Sequence, residues 1–434
     1  MRPLTTVTPA VTCSVQSTLV TGRMPSHTGI VANGWYDRER AEVGFWKQSN
    51  ALVSGEKLWE RARRINPECT TAKMFWWYNM YSTAEWSATP RPQYPADGRK
   101  IPDHYAYPAS LHDELDARFG QFPLFSFWGP KANISSSQWI SDATRHVIEK
   151  NRPTIAMTYL PHLDYNLQRL GPDLEHPALQ RDLADVDALC GELIEQADAD
   201  GREVIVVSEY GITPVTEAVA INRELRRAGL VAVRDESGRE QLDAGASAAF
   251  AVADHQLAHI YVKEPARVAE VAALVSSLDG VEHVLGGDAL RDIGLDHARS
   301  GDLVAISEAD RWFSYYFWLD EDRAPDYART VDIHRKPGYD PVELFVDPQI
   351  RFPVAKLGSI LARKKLGFRT LMNVISPSAT HLVKGAHGRP TDSPDAGPLV
   401  IASSLEHLPA EAVHATEFSD LVMKTVFGER GVRA

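Results

Sequence analysis

Short apolar runs bounded by polar or turn residues punctuate the chain at 72–78, 154–160, 203–208, 249–262, 303–307 and 398–402, and their length and flanks predict strands. Between them the spacing lengthens to that of a helix. Residues 178–199 carry Leu179, Leu183, Val186, Leu189, Leu193 and Ile194 on one stripe, and 217–228 has a similar period. This alternation predicts an α/β fold, a three-layer α/β/α sandwich on a mostly parallel sheet. In such sheets ligands sit beyond the carboxyl ends of the strands, which selects Asp164, Glu209 and the segment 385–389. The stretch 216–379 is more mixed, with the aromatic group Trp312, Phe313, Tyr315, Tyr316, Phe317 and Trp318 followed by a proline- and charge-rich passage. It reads as an inserted or cap-like subdomain between two parts of a catalytic core, 1–215 and 380–434. There is no internal repeat.

Composition narrows the partners more than the fold. The 434 residues are 44% hydrophobic and 24% charged, ordinary for a globular protein, with a formal net charge of -12. That balance speaks against a nucleic acid polymer or an anionic membrane as partner and leaves room for a small phosphorylated substrate at a local metal site. Oligomeric state is not readable. Cys13, Cys69 and Cys190 are too few and too scattered for a disulfide framework. The first residues lack the apolar core of a signal peptide, and no run of about 18 apolar residues occurs, so the expectation is a soluble, cytoplasmic chain.

The segment Thr8-Pro-Ala-Val-Thr12-Cys-Ser-Val-Gln-Ser-Thr-Leu-Val-Thr-Gly22 reads as a turn entering a short helix, with Gly22 as its stop. A Thr12 hydroxyl at the helix N-terminus faces unpaired amides and the positive end of the dipole, which favour an alkoxide and a bound phosphate. The plainer alternative is that Thr12 is only an N-cap. The stretch from Thr12 through Thr21-Gly-Arg-Met-Pro-Ser-His-Thr-Gly-Ile-Val-Ala-Asn-Gly-Trp-Tyr-Asp37 resembles the nucleophile region of the nucleotide pyrophosphatase/phosphodiesterase branch of the alkaline phosphatase superfamily, and of phosphonoacetate hydrolase. The resemblance implies an alkaline phosphatase-like fold, a metal-bound Thr12 that attacks phosphorus, and an Asn33 that holds a phosphate oxygen. Asn33 before Gly34 is also an ordinary turn residue.

The same resemblance implies divalent metal ions at two sites, zinc in the family. Asp164 matches the family Asp after the strand at 154–160, but Gln168 stands four residues on, where the family has His. Glu209-Tyr210-Gly211 stands where the family has Asp-His-Gly, and Lys384-Gly-Ala-His387-Gly matches its Gly-x-His-Gly segment. The expected metal set is therefore Thr12, Asp164, Gln168, Glu209 and His387. His162, His255, His259 and His334 are candidates to restore nitrogen, with His255 and His259 on one face of a single strand. Oxygen-rich ligation makes manganese or magnesium alternatives to zinc. Arg335, Lys336 and Arg389 read as solvated charge, with phosphate contacts as the alternative.

The function implied is metal-dependent hydrolysis of phosphodiester or pyrophosphate bonds. Alternatives are a phosphonoacetate-like phosphonate hydrolase and a fold-retaining non-catalytic homologue. A sulfatase is excluded, because Cys13-Ser-Val-Gln-Ser17 lacks the Pro and Arg of that signature. In the family an apolar strand ending in a metal-binding Asp precedes the nucleophile, yet no Asp occurs here before Asp37. The expectation is a start at Met1 placed too late, one strand and one ligand missing, and an open slot beside the strand leading to Thr12.

Overall fold

Thr71, Ala72, Lys73 and Met74 are all buried, the mark of a strand covered on both faces. Such strands need helices on each side, and the computed structural model, which describes residues 1–431, supplies them. Three four-stranded sheets use β1 (Arg2–Thr5), β2 (Thr71–Met74), β3 (Trp86–Pro90), β4 (His104–Tyr107), β5 (Ile155–Thr158) and β6 (Ile205–Val207). They continue with β7 (Ala249–Asp254), β8 (Leu257–Val262), β9 (Val281–Gly286), β10 (Leu303–Ser307), β11 (Leu399–Ala402) and β12 (Val413–His414). The helices that position the site are α1 (Thr12–Thr21), α2 (Ala109–Phe119), α3 (Ser135–Asn151), α4 (His162–Leu170), α5 (Pro177–Ala199) and α6 (Phe418–Phe427).

One sheet runs β12-β1-β11-β6 and a second β4-β3-β2-β5. Each is mixed: three strands point the same way, and β11 or β4 is antiparallel to its neighbours. Small residues let helices close on them. Ala72, Met74 and Ala88 face Leu111 and Leu115 of α2 and Trp139, Ile140, Ala143 and Val147 of α3. On the other side Leu4, Ile155 and Val400 pack against Val15 and Leu19 of α1 and Phe418 and Leu421 of α6. The result is the α/β sandwich expected, with mixed rather than mostly parallel sheets.

The expected slot is not beside β1, which pairs on both edges, with β11 and β12. Like β12 and β4 at the opposite ends, β6 and β5 each end their sheet with an edge unpaired among the described residues. Side chains join them instead: Arg202 donates to the Pro153 carbonyl at 2.6 Å ahead of the strands, and Ile155, Met157, Ile205 and Val207 share one apolar cluster. The carboxyl ends of these two edges carry Asp164 and Glu209.

The third sheet, β7-β8-β10-β9, is wholly antiparallel and lies within 216–379. The aromatic group seen in the sequence forms its core, with Phe313, Tyr315, Tyr316, Phe317 and Trp318 at most 2% exposed. Two expectations fail here. Residues 249–262 form a hairpin, not one strand, because His255 takes a left-handed turn conformation (φ 60°). Residues 217–228 begin as a strand, Glu217–Val219, drawn into parallel pairing with Arg311–Phe313 before the helix Ile221–Arg227. Among the described residues no helix is long and apolar enough to cross a membrane.

Candidate active site

Val11 is extended (φ -131°, ψ 153°), so the helix starts at Thr12, and Gly22 ends it in the left-handed region (φ 66°), where its amide reaches the Thr18 carbonyl. Thr12 is thus the first helical residue rather than the N-cap. Its hydroxyl turns to the strand ends, 3.2 Å from the Tyr210 hydroxyl. Tyr210 in turn donates to Asp164 Oδ1 at 3.4 Å, and Glu209 and Tyr159 also border the Thr12 hydroxyl. The loops after β5 and β6 therefore converge on the N-terminus of α1.

Each carboxylate is held by an amide. Gln168, one turn after Asp164 on α4, donates its Nε2 to Asp164 Oδ2 at 2.7 Å and accepts from the Tyr339 hydroxyl at 2.8 Å. Gln16, one turn after Thr12 on α1, donates to Glu209 Oε1 and accepts from the Trp77 amide. Gln16 escaped the sequence reading, although its spacing of four from Thr12 places it on the same helix face.

His387 closes the group. Its Nδ1 lies 2.8 Å from the Ala10 carbonyl, which fixes the N–H there and leaves Nε2 facing Asp164 Oδ1 at 3.8 Å. Tyr210 stacks on the His387 ring (3.6 Å, 4°), His255 lies on its other side at 3.8 Å, and Tyr339 stacks on His255 at 3.5 Å. Burial holds both imidazoles well below their usual pKa and therefore neutral near pH 7, as metal ligation requires.

The other candidates are placed as follows. Asn33 is buried, its amide and backbone N–H both donating to Asp254 (3.1 and 2.7 Å) while its side-chain oxygen accepts from the Cys13 amide at the start of α1 (2.9 Å). Asp254, which the sequence reading passed over, also holds His255 Nδ1 at 2.7 Å. His259 does not share a face with His255; it is a satisfied core residue between the Val31 carbonyl and the Gly301 amide. His334 stands apart at the cavity mouth, near Tyr94 and the Phe45 carbonyl, and His162 is taken up by Asp182 of α5 at 3.0 Å. Lys336 is not solvated charge: it is buried between Asp340 and Glu343, both at 2.7 Å. Arg389 pairs with Glu282 and Asp392, and Arg335 lines the cavity beside Asp332.

The profile of the type I phosphodiesterase / nucleotide pyrophosphatase family matches residues 1–340. The chain belongs to this family. An uncharacterized pyrophosphatase/phosphodiesterase of Schizosaccharomyces pombe is 25% identical over 219 residues, 48% of this chain and 37% of that protein, so the match spans little more than a third of the relative. Among solved structures, murine ectonucleotide pyrophosphatase/phosphodiesterase 5 aligns over 98% of this chain and 86% of its own, with a TM-score of 0.55 and 15% identity. An inactive variant of it in complex with AMP gives a TM-score of 0.56 at 14% identity, covering 98% and 85%. Phosphonoacetate hydrolase from Sinorhizobium meliloti 1021, in complex with phosphonoformate, gives 0.51 at 15% identity, covering 98% and 87%. At these identities the solved structures speak for the alkaline phosphatase-like fold.

Type I phosphodiesterases lead one to look for divalent cations, and the donors can be tested directly. Burial without a cationic partner pushes Asp164 up to about 7 and Glu209 up to about 8, against the amides that hold them. Two carboxylates so poorly compensated, beside a neutral imidazole with a free Nε2, fit a divalent cation between Asp164, His387 and Thr12. The position beside Glu209 is thinner, since Tyr210 is stacked and protonated, its phenol pushed up by burial, and only Thr12 adds an oxygen. Among the described residues, no three carboxylate, imidazole or thiol ligand atoms at this site lie within 4.8 Å of one another.

A cavity of about 580 Å³ opens above the site, walled by Trp46, Trp77, Phe127, Trp128 and Tyr327, with Arg91, Lys100, Lys131 and Lys364 among its basic residues. Its floor depends on one close approach. A Cβ on Gly385 would lie 2.2 Å from the Leu167 carbonyl of α4, so glycine lets the His387 segment reach the helix that bears Asp164. Gly385→Ala should cost roughly 1–3 kcal/mol in urea unfolding by overpacking. An unchanged midpoint would show that the two segments separate freely.

Proposed function

We propose that this chain is a divalent-cation-dependent hydrolase of phosphodiester or pyrophosphate bonds, with Thr12 as its nucleophile. What supports it most is the Thr12 hydroxyl at the N-terminus of α1, facing Glu209, Tyr210 and Asp164 on the floor of a cavity with basic and aromatic walls. Thr12 Oγ1 attacks phosphorus as its proton passes to Glu209, which is a carboxylate once positive charge offsets the burial that otherwise holds it protonated near pH 7; the P–O bond to the leaving group breaks, the leaving oxygen takes up a proton, and water then cleaves the phosphothreonine ester. When bound, a divalent cation supplies the positive charge that lowers the hydroxyl pKa and offsets charge on the phosphate. Zinc is the family expectation; the oxygen-rich set also suits manganese or magnesium. Asp164 and Tyr210 hold Thr12 in line, the helix dipole favours the anionic substrate, and Asn33 braces the first turn through the Cys13 amide. The stretch 216–379 serves as the cap, through Tyr327 and His334.

The aromatic walls favour a nucleotide or other organic phosphodiester over phosphonoacetate, which would leave most of the cavity unfilled. Bis(4-nitrophenyl) phosphate, 4-nitrophenyl phosphate and phosphonoacetate, assayed on one preparation with added zinc or manganese, test this. Diester turnover should exceed the other two by at least about tenfold, a difference of 1.4 kcal/mol in barrier. Preferred release of acetate from phosphonoacetate would assign the phosphonate reaction instead, and no turnover with tight AMP binding would assign a non-catalytic homologue.

Tyr210 is a positioning residue in this reading. Tyr210→Phe keeps the stack on His387 and removes the hydroxyl between Thr12 and Asp164, so kcat/KM should fall about tenfold, the worth of one hydrogen bond. Its KM should move little. A loss confined to KM would make Tyr210 a wall of the cavity and nothing more.

A further inference from the structure

A second group of ligand-type side chains lies where β4 meets α2. His104 is on β4, and its imidazole is buried (the residue is 3% exposed); among the described residues neither of its ring nitrogens has a hydrogen-bond partner. Buried imidazoles ordinarily find a partner for at least one nitrogen, so two orphaned nitrogens need an explanation. Nδ1 points toward Asp116 Oδ1 at 3.6 Å, a buried carboxylate oxygen that is itself unpartnered. Asp116 Oδ2 lies 4.0 Å from His112 Nε2, and His112 Nε2 lies 2.8 Å from Asp103 Oδ1. The rings of His104 and His112 are stacked at 4.6 Å with 20° between their planes. Ligand atoms of Asp103, His104 and His112 all fall within 4.8 Å of one another.

The geometry points to a structural site for one zinc-type divalent cation, held by Asp103, His104 and His112, whose ligand atoms gather within 4.8 Å, with Asp116, 3.6 Å from His104 Nδ1 and 4.0 Å from His112 Nε2, swinging in as the fourth donor. A tetrahedral ion with bonds of about 2.0–2.1 Å sets its ligands roughly 3.3 Å apart; the His112–Asp103, His104–Asp116 and His112–Asp116 separations of 2.8, 3.6 and 4.0 Å lie around that value. Two imidazoles and two carboxylates make a closed set of four protein ligands, as structural sites have. The ordering is local. Asp103 and His104 are adjacent at the start of β4, and His112 and Asp116 are one turn apart on one face of α2. Outer partners are in place as well: Gln93 donates to Asp103 Oδ2 at 2.5 Å, and Asp113 holds His112 Nδ1 at 2.9 Å.

Such an ion would fasten an edge strand to a helix. It would also anchor the hairpin that precedes β4, where Arg91 bonds the Asp103 carbonyl and Gln93 pairs with Ile101; that hairpin carries Arg91, Tyr94 and Lys100 to the cavity wall. The plain alternative is an ion pair of protonated His112 with Asp103 and Asp113, which leaves the facing pair of His104 Nδ1 and Asp116 Oδ1 unexplained.

The test uses full-length protein and zinc or cobalt(II) as the probe. The active-site ligands are silenced first by Asp164→Asn with His387→Gln, so that only the second site reports. Elemental analysis after mild chelation should find one zinc per chain in that background, and cobalt(II) should give the intense visible bands of a four-coordinate ion. Adding His112→Gln or Asp116→Asn, both on partly exposed positions, should weaken zinc by at least about 100-fold. Asp113→Asn, which removes only an outer partner, should cost no more than roughly 10–100-fold. A metal-free background protein, stoichiometric zinc retained in His112→Gln, or equal losses in Asp113→Asn and Asp116→Asn would overturn the assignment. Should a ligand variant fail to fold, the stoichiometry and spectrum of the background protein still decide.

Discussion

Thr12→Ala should reduce diester hydrolysis by a factor on the order of 10³ or more while leaving the fold in place. The expected size follows from deleting the attacking oxygen itself, so no neighbouring group can replace it at the same point. Tyr210 reaches Thr12 with its hydroxyl and Tyr159 lies beside it, but burial pushes both phenols up and keeps them protonated. Water would have to attack unaided. Retention of the fold follows from the helix start. Val11, not Thr12, is the N-cap, and Thr12 contributes no capping bond, so the substitution loses one partly buried hydroxyl contact, about 1 kcal/mol. Alanine is moreover a good helix former at that position. Rate measurements on bis(4-nitrophenyl) phosphate, with urea unfolding of both proteins, separate the two effects. Turnover within tenfold of the parent protein would place the nucleophile elsewhere. A collapse of stability would instead mean that Thr12 is a structural residue, the reading that an N-cap would have supported.

Strand ends were the most legible part of the site in the sequence. Asp164 and Glu209 follow short apolar runs, and the carboxyl-end rule brings them together without any knowledge of topology. The His387 segment follows from the family pattern and from Gly385, whose missing Cβ is what lets the segment touch α4. What stayed hidden was set by long-range pairing. Nothing in residues 249–262 marks a turn, since the apolar run is broken by Asp254-His255-Gln256 with no Gly or Pro. His255 holds its positive φ because Asp254 and the stack of Tyr339 and His387 fix its ring. Glu217–Val219 becomes a strand because Arg311–Phe313, almost a hundred residues on, offers an edge. Gln16 and Gln168 could be located on helix faces from their spacing, but their use as donors to buried carboxylates needed coordinates. The slot expected beside β1, the strand that leads to Thr12, is closed because β1 pairs on both edges; sheet order follows pairing rather than nearness in sequence.

Without divalent cations, the stability attributable to the site should fall as pH rises from about 4 to above 8. The folded state raises Asp164 from 3.8 to about 7 and Glu209 from 4.5 to about 8, burial being the larger cause for each. A carboxyl whose folded pKa is raised binds its proton more tightly when folded. Its contribution is therefore complete below the unfolded pKa and is lost as pH climbs through the folded value, on the order of several kcal/mol for the pair. The histidines act in the opposite sense. His255 and His387 are lowered by burial, so they favour the fold above their unfolded pKa of 6.5 and lose that contribution as pH falls below it. A bare pH profile would mix the two, and the useful quantity is a difference. In chelator, Asp164→Asn with Glu209→Gln should match the parent protein near pH 3.5, below both unfolded values, and exceed it by several kcal/mol near pH 8.5. Added zinc or manganese should then close the gap by stabilising the parent alone, and at pH 7 its binding should release protons that a weakly buffered titration can count. A gap that stays constant from pH 3.5 to 8.5 in chelator, or one that divalent cations leave untouched, would mean that the two carboxyls are neutral hydrogen-bonding groups of the fold, and the cation would lose its place in the reaction.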